Sequence, residues 1–257
     1  MDGRTAMITG GSLGLGKAMA MEFAGSGANV AIVARRQEVL DATKAEIEAA
    51  HPGAKVAAVA ADIRTAEGCA GAVDTAVAAL GPIDILINNA GTSQRGPFLE
   101  ISDELWQEDL DLKLFAAIRL SRLVIPGMRE RKWGRIINVL NVGAKTPGAN
   151  GAPTAVSRAA GMALMKVLAN ENAKYNVLVN GMHVGKIRSD QWVQRHAADE
   201  RGLTLEEWYE DASHDQPLGR LGYAEEFAAM ATFLCSERGS YITGAAINVD
   251  GGLCKAV

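Results

Sequence analysis

Short apolar runs recur along the chain at Ala6 to Thr9, Val30 to Ala34, Val56 to Ala61, Ile83 to Asn88, Arg135 to Leu140, Val177 to Met182 and Ala245 to Val249. Each has the length of a strand and carries almost no charge, as expected of strands buried on both faces. Between them lie segments with the 3.6-residue period of helices: Gly14 to Ser26, Glu38 to Ala50, Ala66 to Leu80, Ser102 to Glu130, Ala155 to Tyr175 and Ala224 to Ser236. This alternation predicts an α/β fold with a seven-stranded, mainly parallel sheet covered by helices on both faces. No linker, composition shift or repeat divides the chain, so residues 1–257 read as one domain. The segment 187–218 breaks the rhythm: it is polar, carries Trp192, Trp208 and Tyr209, and falls between the sixth and seventh strands. An insertion there is positioned to form a lid over a site, or else a surface helical hairpin.

Composition narrows the class. With 48% hydrophobic and 22% charged residues, the 257-residue chain can bury a sizeable core, which excludes global disorder. A net charge of -4 gives no electrostatic reason to expect nucleic acid or an anionic membrane as partner. No basic leader precedes a long apolar segment, so neither a signal peptide nor a membrane span is expected. Cys69, Cys235 and Cys254 are odd in number and lie away from histidines at metal-ligand spacing, which predicts reduced thiols, a cytoplasmic location and no metal. Twenty-eight glycines with few aromatics suggest tight turns and close packing of helix on sheet.

The glycines concentrate where chemistry needs them. Thr9-Gly10-Gly11-Ser12-Leu13-Gly14-Leu15-Gly16 follows the first strand and opens the first helix, where backbone can approach a pyrophosphate met by the helix N-terminus. At the end of the second strand, where an acid would hold the ribose hydroxyls of NAD, stand Ala34, Arg35 and Arg36. The missing acid removes repulsion of a 2′-phosphate and the guanidiniums can bind one, which favours NADP(H) over NAD(H). The plain alternative is two solvated arginines starting a helix.

The spacing T-G-x-x-x-G-x-G resembles the short-chain dehydrogenase/reductase family, and the likeness covers nearly the whole chain. Asn88-Asn89-Ala90-Gly91, Asp62, Pro217-Leu218-Gly219-Arg220, Tyr241-Ile242-Thr243-Gly244 and Val249-Asp250-Gly251-Gly252 are all similar to family motifs. The resemblance implies a doubly wound Rossmann fold. It implies a nucleotide held by Gly10, Ser12, Leu13, Gly14, Leu15, Gly16, Arg35, Arg36, Asp62, Ile63, Asn89, Ala90, Gly91, Arg158, Gly185, Ile187 and Ser189, with Asp62 on the adenine. It also implies a small-molecule carbonyl or alcohol substrate and a homotetramer built through the long helices, where Leu114, Phe115, Ile118 and Leu123 serve either core or interface.

The family's catalytic tetrad of asparagine, serine, tyrosine and lysine is altered at every position. The tyrosine and lysine fall on Thr154 and Arg158, the serine on Asn141 and the asparagine on Lys113, while the proline-glycine pair after the sixth strand is Val184-Gly185, preceded by His183. A threonine hydroxyl is too weak an acid to replace a phenol of pKa about 10, and arginine stays protonated, so the tyrosine mechanism is unavailable. Trp106, Leu110, Lys113 and Ala117 share one helical stripe, which points Lys113 inward. There it is either a general acid or a buried ion-pair partner. Asn141 offers an amide donor to a carbonyl oxygen or caps a turn, and His183 is either a titratable group beside the nicotinamide or a packed loop histidine. The leading expectation is an NADP(H)-dependent carbonyl/alcohol oxidoreductase. A redox-inactive NADP(H)-binding regulatory protein and a lysine-dependent lyase are the alternatives.

Overall fold

The computed structural model describes residue 1 and residues 3–256. Seven strands, β1 (Thr5–Thr9), β2 (Asn29–Ala34), β3 (Val56–Ala60), β4 (Ile85–Asn88), β5 (Gly134–Asn141), β6 (Val177–Val184) and β7 (Ala246–Val249), form one sheet in the order β3-β2-β1-β4-β5-β6-β7. Every neighbouring pair is parallel. Because side chains alternate across a strand, the apolar runs feed two cores at once. Ala6, Ile8, Val30, Ile32, Ile85 and Ile87 face one layer, made by α1 (Gly14–Gly25), α2 (Gln37–Ala50) and α9 (Ala224–Cys235). Met7, Ala31, Val33, Leu86 and Ile136 face the other, made by α3 (Ala66–Leu80), α5 (Ala116–Glu130) and α6 (Thr154–Asn172). This is the doubly wound Rossmann arrangement.

Chain order reverses between β1 and β4, and in such sheets a crevice opens outside the carboxyl ends of the strands at that point. Thr9 closes the base of the crevice: its Oγ1 donates to the Ile87 carbonyl at 3.1 Å and accepts from the Asn89 and Ala90 amides at 3.0 and 3.1 Å. The threonine of the glycine-rich turn thereby fixes the Asn-Asn-Ala-Gly turn beside it.

The helix expected over residues 102–130 runs without a gap from Asp103 to Glu130 but changes its winding midway. It is α4 (Asp103–Leu110), a π-helical turn at Asp111–Phe115, and α5. A π turn inserts one residue into the helical ladder and rotates the helix beyond it, so the stripe does not keep a constant depth. Trp106 and Leu110 are half-buried, whereas Lys113, Ala117 and also Asp109 are buried. Leu114 and Ile118 are half-buried, while Phe115 and Leu123 are exposed.

Within 187–218, α7 (Asp190–Ala197) and α8 (Leu205–Ser213) pack around their own aromatic cluster. The Trp192 and Trp208 rings meet edge to face at 5.5 Å, Trp208 Nε1 donates to Asp199 at 2.8 Å, and a Thr204–Glu207 capping box starts α8. Among the described residues no helix is long and apolar enough to cross a membrane.

Candidate active site

The crevice contains two adjoining hollows that share Gly10, Ala34, Arg35, Ala90 and Gly91 in their walls. The larger, about 670 Å³, is bounded by Ser12, Leu13, Gly14 and Leu15 of the glycine-rich turn, by Arg36 and Asn89, and by Val184 and Ser189 beyond the sixth strand. Its glycines are structurally required. Gly10 has φ +64°, and a Cβ on Gly16 would collide with the Gly10 carbonyl oxygen. Leu13 gives α1 no side-chain cap, so the first-turn N–H groups face the hollow without a partner from their own helix. Thr43 Oγ1 donates to the Ser12 carbonyl at 2.8 Å and ties the turn to α2.

The smaller hollow, about 330 Å³, runs from Arg35 to Asp62, Ile63 and Arg64. Asp62 does not present a free carboxylate. Arg64 grips it bidentately, Nη2 to Oδ2 at 2.6 Å, and this guanidinium holds the carboxyl below its ordinary range. Arg35 and Arg36 are exposed at the boundary of the hollows. The glycine cradle, the open helix terminus and the two arginines suit a dinucleotide with an additional phosphate.

Gly185, Ile187 and His183 lie elsewhere than at the cleft surface. A Cβ on Gly185 would strike Asp250, so this position serves close packing against the last strand. Ile187 is 3% exposed with its side chain in the core, leaving only its backbone to reach a ligand. His183 is 0% exposed, paired through Nδ1 with the Asn141 carbonyl at 2.8 Å, and burial lowers its pKa. Of the two readings of His183, burial favours the packed histidine: the imidazole sits within β6, and its Nε2 has no partner among the described residues.

Lys113 enters a buried network with two residues, Asp109 and Ser157, that are absent from the candidates named on sequence grounds. Its Nζ donates to Asp109 Oδ1, an ion pair with both side chains 0% exposed, and to Thr154 Oγ1 at 2.8 Å. Ser157 Oγ donates to Asp109 Oδ2 at 2.6 Å, and the Gln94 amide donates to Thr154 Oγ1 at 3.0 Å. Burial, followed by the field of Arg158, lowers the Lys113 pKa to about 8 against the opposing pull of Asp109. An acid four residues before a lysine on one helix was the available signal for Asp109. Ser157, three residues after Thr154 on α6, had no signal of its own.

Arg158 spans the gap between this network and the cleft. Nη1 donates to the Val139 carbonyl at 2.5 Å, Nη2 lies where a Cβ on Gly91 would stand, and the side chain lines the larger hollow. Burial lowers its pKa to about 10, so it remains a cation at neutral pH. Asn141 ends β5 half-buried, with Oδ1 unpartnered among the described residues. Ser189, Gln191 and Gln194 bring the inserted segment onto the cleft wall.

Residues 4–200 match the short chain dehydrogenase family, and the chain is 32% identical to the NADPH-dependent reductase BacG of Bacillus subtilis (strain 168) over the whole of both proteins. The chain belongs to the short-chain dehydrogenase/reductase family. Two solved members of the family are similar throughout. L-sorbose reductase from Gluconobacter frateurii, complexed with NADPH and L-sorbose, is 36% identical with a TM-score of 0.95, covering 100% of this chain and 98% of that one. A short-chain oxidoreductase from Pseudomonas aeruginosa PAO1, described as containing an atypical catalytic center, is 34% identical with a TM-score of 0.92 over 99% and 98%. Lys113, Asn141, Thr154 and Arg158 are the positions that the resemblance sets at the family tetrad. The structure brings Lys113 and Thr154 into direct contact and sets Arg158 beside them.

Proposed function

We propose that this chain is an NADP(H)-dependent oxidoreductase that interconverts a carbonyl and an alcohol with Lys113 as its acid, in place of the family tyrosine. The observation that carries this reading is the contact of Lys113 Nζ with Thr154 Oγ1 inside a buried network whose neighbour Arg158 lines the cleft. The cofactor is held by the glycine-rich turn, with Arg35 and Arg36 on its 2′-phosphate. NADPH-dependent relatives, together with these two arginines in place of an acid, support that choice. When bound, NADPH supplies a hydride.

The protein's own residues supply charge stabilisation and the proton. Arg158 and the Asn141 amide polarise the reacting oxygen and stabilise the negative charge it gains during reduction. Arg158 donates hydrogen bonds throughout and gives up no proton. Lys113, protonated below a pKa of about 8, is the proton source; its Nζ donates to Thr154 Oγ1, whose own hydroxyl donates to Asp109 Oδ1 at 3.4 Å. The threonine hydroxyl is too weak an acid to serve as the donor itself and acts here by holding Lys113 and Asp109. Asp109 keeps Lys113 oriented, and Ser157 occupies the second carboxylate oxygen.

A fully buried, ion-paired ammonium is a poor nucleophile, and this favours the acid role over Schiff-base chemistry. The exposed Phe115 and Leu123 suit a homo-oligomer through the long helix, which light scattering at micromolar concentration tests. The central test is NADPH consumption at 340 nm across a panel of ketones and aldehydes. Turnover in the native protein and its loss in Lys113→Met support the reading, while NADPH binding with no turnover on any carbonyl or alcohol overturns it.

A further inference from the structure

One side chain fastens both ends of the π turn that carries Lys113. Arg119, in the first turn of α5, sends Nη2 back to Asp111 Oδ1 at 3.4 Å and sets its guanidinium 5.3 Å from the Phe115 ring centroid. Asp111 opens the π turn and Phe115 closes it. The second carboxylate oxygen of Asp111 accepts from Gln107 Nε2 at 3.0 Å, one turn earlier on α4. The same guanidinium also reaches out of the helix: Nη1 donates at 2.5 Å to the carbonyl of Arg64, 55 residues away in sequence.

Arg64 belongs to the wall of the smaller hollow, where its amide and its guanidinium both bind Asp62. That hollow meets the π turn directly as well. Its lining runs from Arg35 and Asp62 to Glu108, Asp109 and Leu112, and Leu112 is the neighbour of Lys113. One half-buried arginine thus ties the adenosine end of the crevice to the turn that presents the acid.

An ordinary α-helix needs no such fastening. A π turn carries an extra residue that the i→i−4 ladder does not hold, and returning it to regular winding would rotate the chain beyond it by about 100°. Lys113 meets Asp109 across this turn and Thr154 on α6, so the winding decides whether the ammonium keeps its partners. Contacts that span the turn oppose the rotation, and Arg119 supplies two of them.

We propose that Arg119 is a positioning residue that couples the adenosine end of the crevice to the π turn, so that a nucleotide seated against Arg35, Asp62 and Arg64 holds Lys113 on Asp109 and Thr154. This rests on the oxidoreductase reading above and adds to it: the half of the cofactor that takes no part in hydride transfer sets the acid in place. The nucleotide favours this winding because Arg64 and Leu112, which line its hollow, are placed by the same turn.

Adenosine 2′,5′-bisphosphate and reduced nicotinamide mononucleotide separate the two ends of the cofactor for the test. Hydrogen exchange, read by mass spectrometry, follows the peptide over residues 107–117 in native protein and in Arg119→Gln. Thermal melts confirm that the variant is folded, and calorimetry sets the bisphosphate above its Kd in each protein. The bisphosphate is expected to slow exchange in this peptide by about tenfold in the native protein, and the slowing is expected to be lost in the variant. In a turnover arm the reduced mononucleotide drives a carbonyl that the native protein reduces with NADPH. Bisphosphate added in trans is expected to raise kcat by about tenfold in the native protein and by less than about twofold in the variant. Should Arg119→Gln not fold, Asp111→Asn replaces it under the same criteria.

An arginine that only stabilises the helix would lower kcat alike with and without the bisphosphate. That outcome, exchange slowed equally in native and variant protein, or no binding of the bisphosphate overturns the proposal. Protection by the bisphosphate that requires Arg119, without reduction of any carbonyl, supports the coupling and overturns the oxidoreductase reading instead.

Discussion

The two halves of the crevice are built by different means. On the nucleotide side, the glycine-rich turn, the Asn89–Gly91 turn and the α1 terminus present backbone, and their geometry follows from residues a few positions apart. On the other side, Lys113, Asp109, Thr154 and Ser157 come from α4, the π turn and α6, 41 to 48 residues apart across the network, and form a buried polar cluster. A backbone cradle tolerates change in its side chains, but a buried charge network does not, since each member satisfies another.

The sharpest way to break the comparison is Lys113→Met. Methionine keeps the stem's packing and removes the proton, so turnover is expected to fall by about 10²- to 10⁴-fold with NADPH affinity nearly intact. Full activity in this variant would move the proton source to water or to the substrate and leave the buried network structural.

Asp109→Ala probes the same half through stability. Removing one partner of a buried pair leaves Lys113 uncompensated, at a cost of about 3–5 kcal/mol, or a melting temperature lower by roughly 10 °C. Calorimetry that finds no change would mean Lys113 re-pairs or loses its proton at little cost. On the nucleotide side the effect is smaller and selective. Arg35→Ala is expected to weaken NADPH by about 1.5 kcal/mol, roughly tenfold in Kd, with little change for NADH, and equal loss for both would remove Arg35 from the 2′-phosphate.

The mildest effect is on pH dependence. The Lys113 pKa is lowered to about 8, and the acid must be protonated to donate. Carbonyl reduction is therefore expected to be flat below about pH 8 and to fall by about tenfold per unit above it, while alcohol oxidation rises over the same range. A reduction profile unchanged up to pH 10 would exclude Lys113 as the acid.

Much of this protein was determined locally and could be read from its sequence. The seven apolar runs read as strands buried on both faces because each is of strand length and lies between segments of helical period, and the glycines from Gly10 to Gly16 marked the turn because Gly10 takes a positive φ and Gly16 has no room for a Cβ. Arg35 and Arg36 were legible for the same reason, since their position at the end of β2 follows from the strand alone.

What tertiary structure decided concerns groups distant in sequence. The π turn at Asp111–Phe115 set which side chains of the long helix face inward, bringing Asp109 as well as Lys113 to Thr154. Pairing of β5 with β6 placed His183 beside the Asn141 carbonyl and buried its ring. Helical period and strand alternation report only which face a residue occupies; what waits on that face is set by the packing of other elements, and a pKa or an unpaired charge depends on that packing alone.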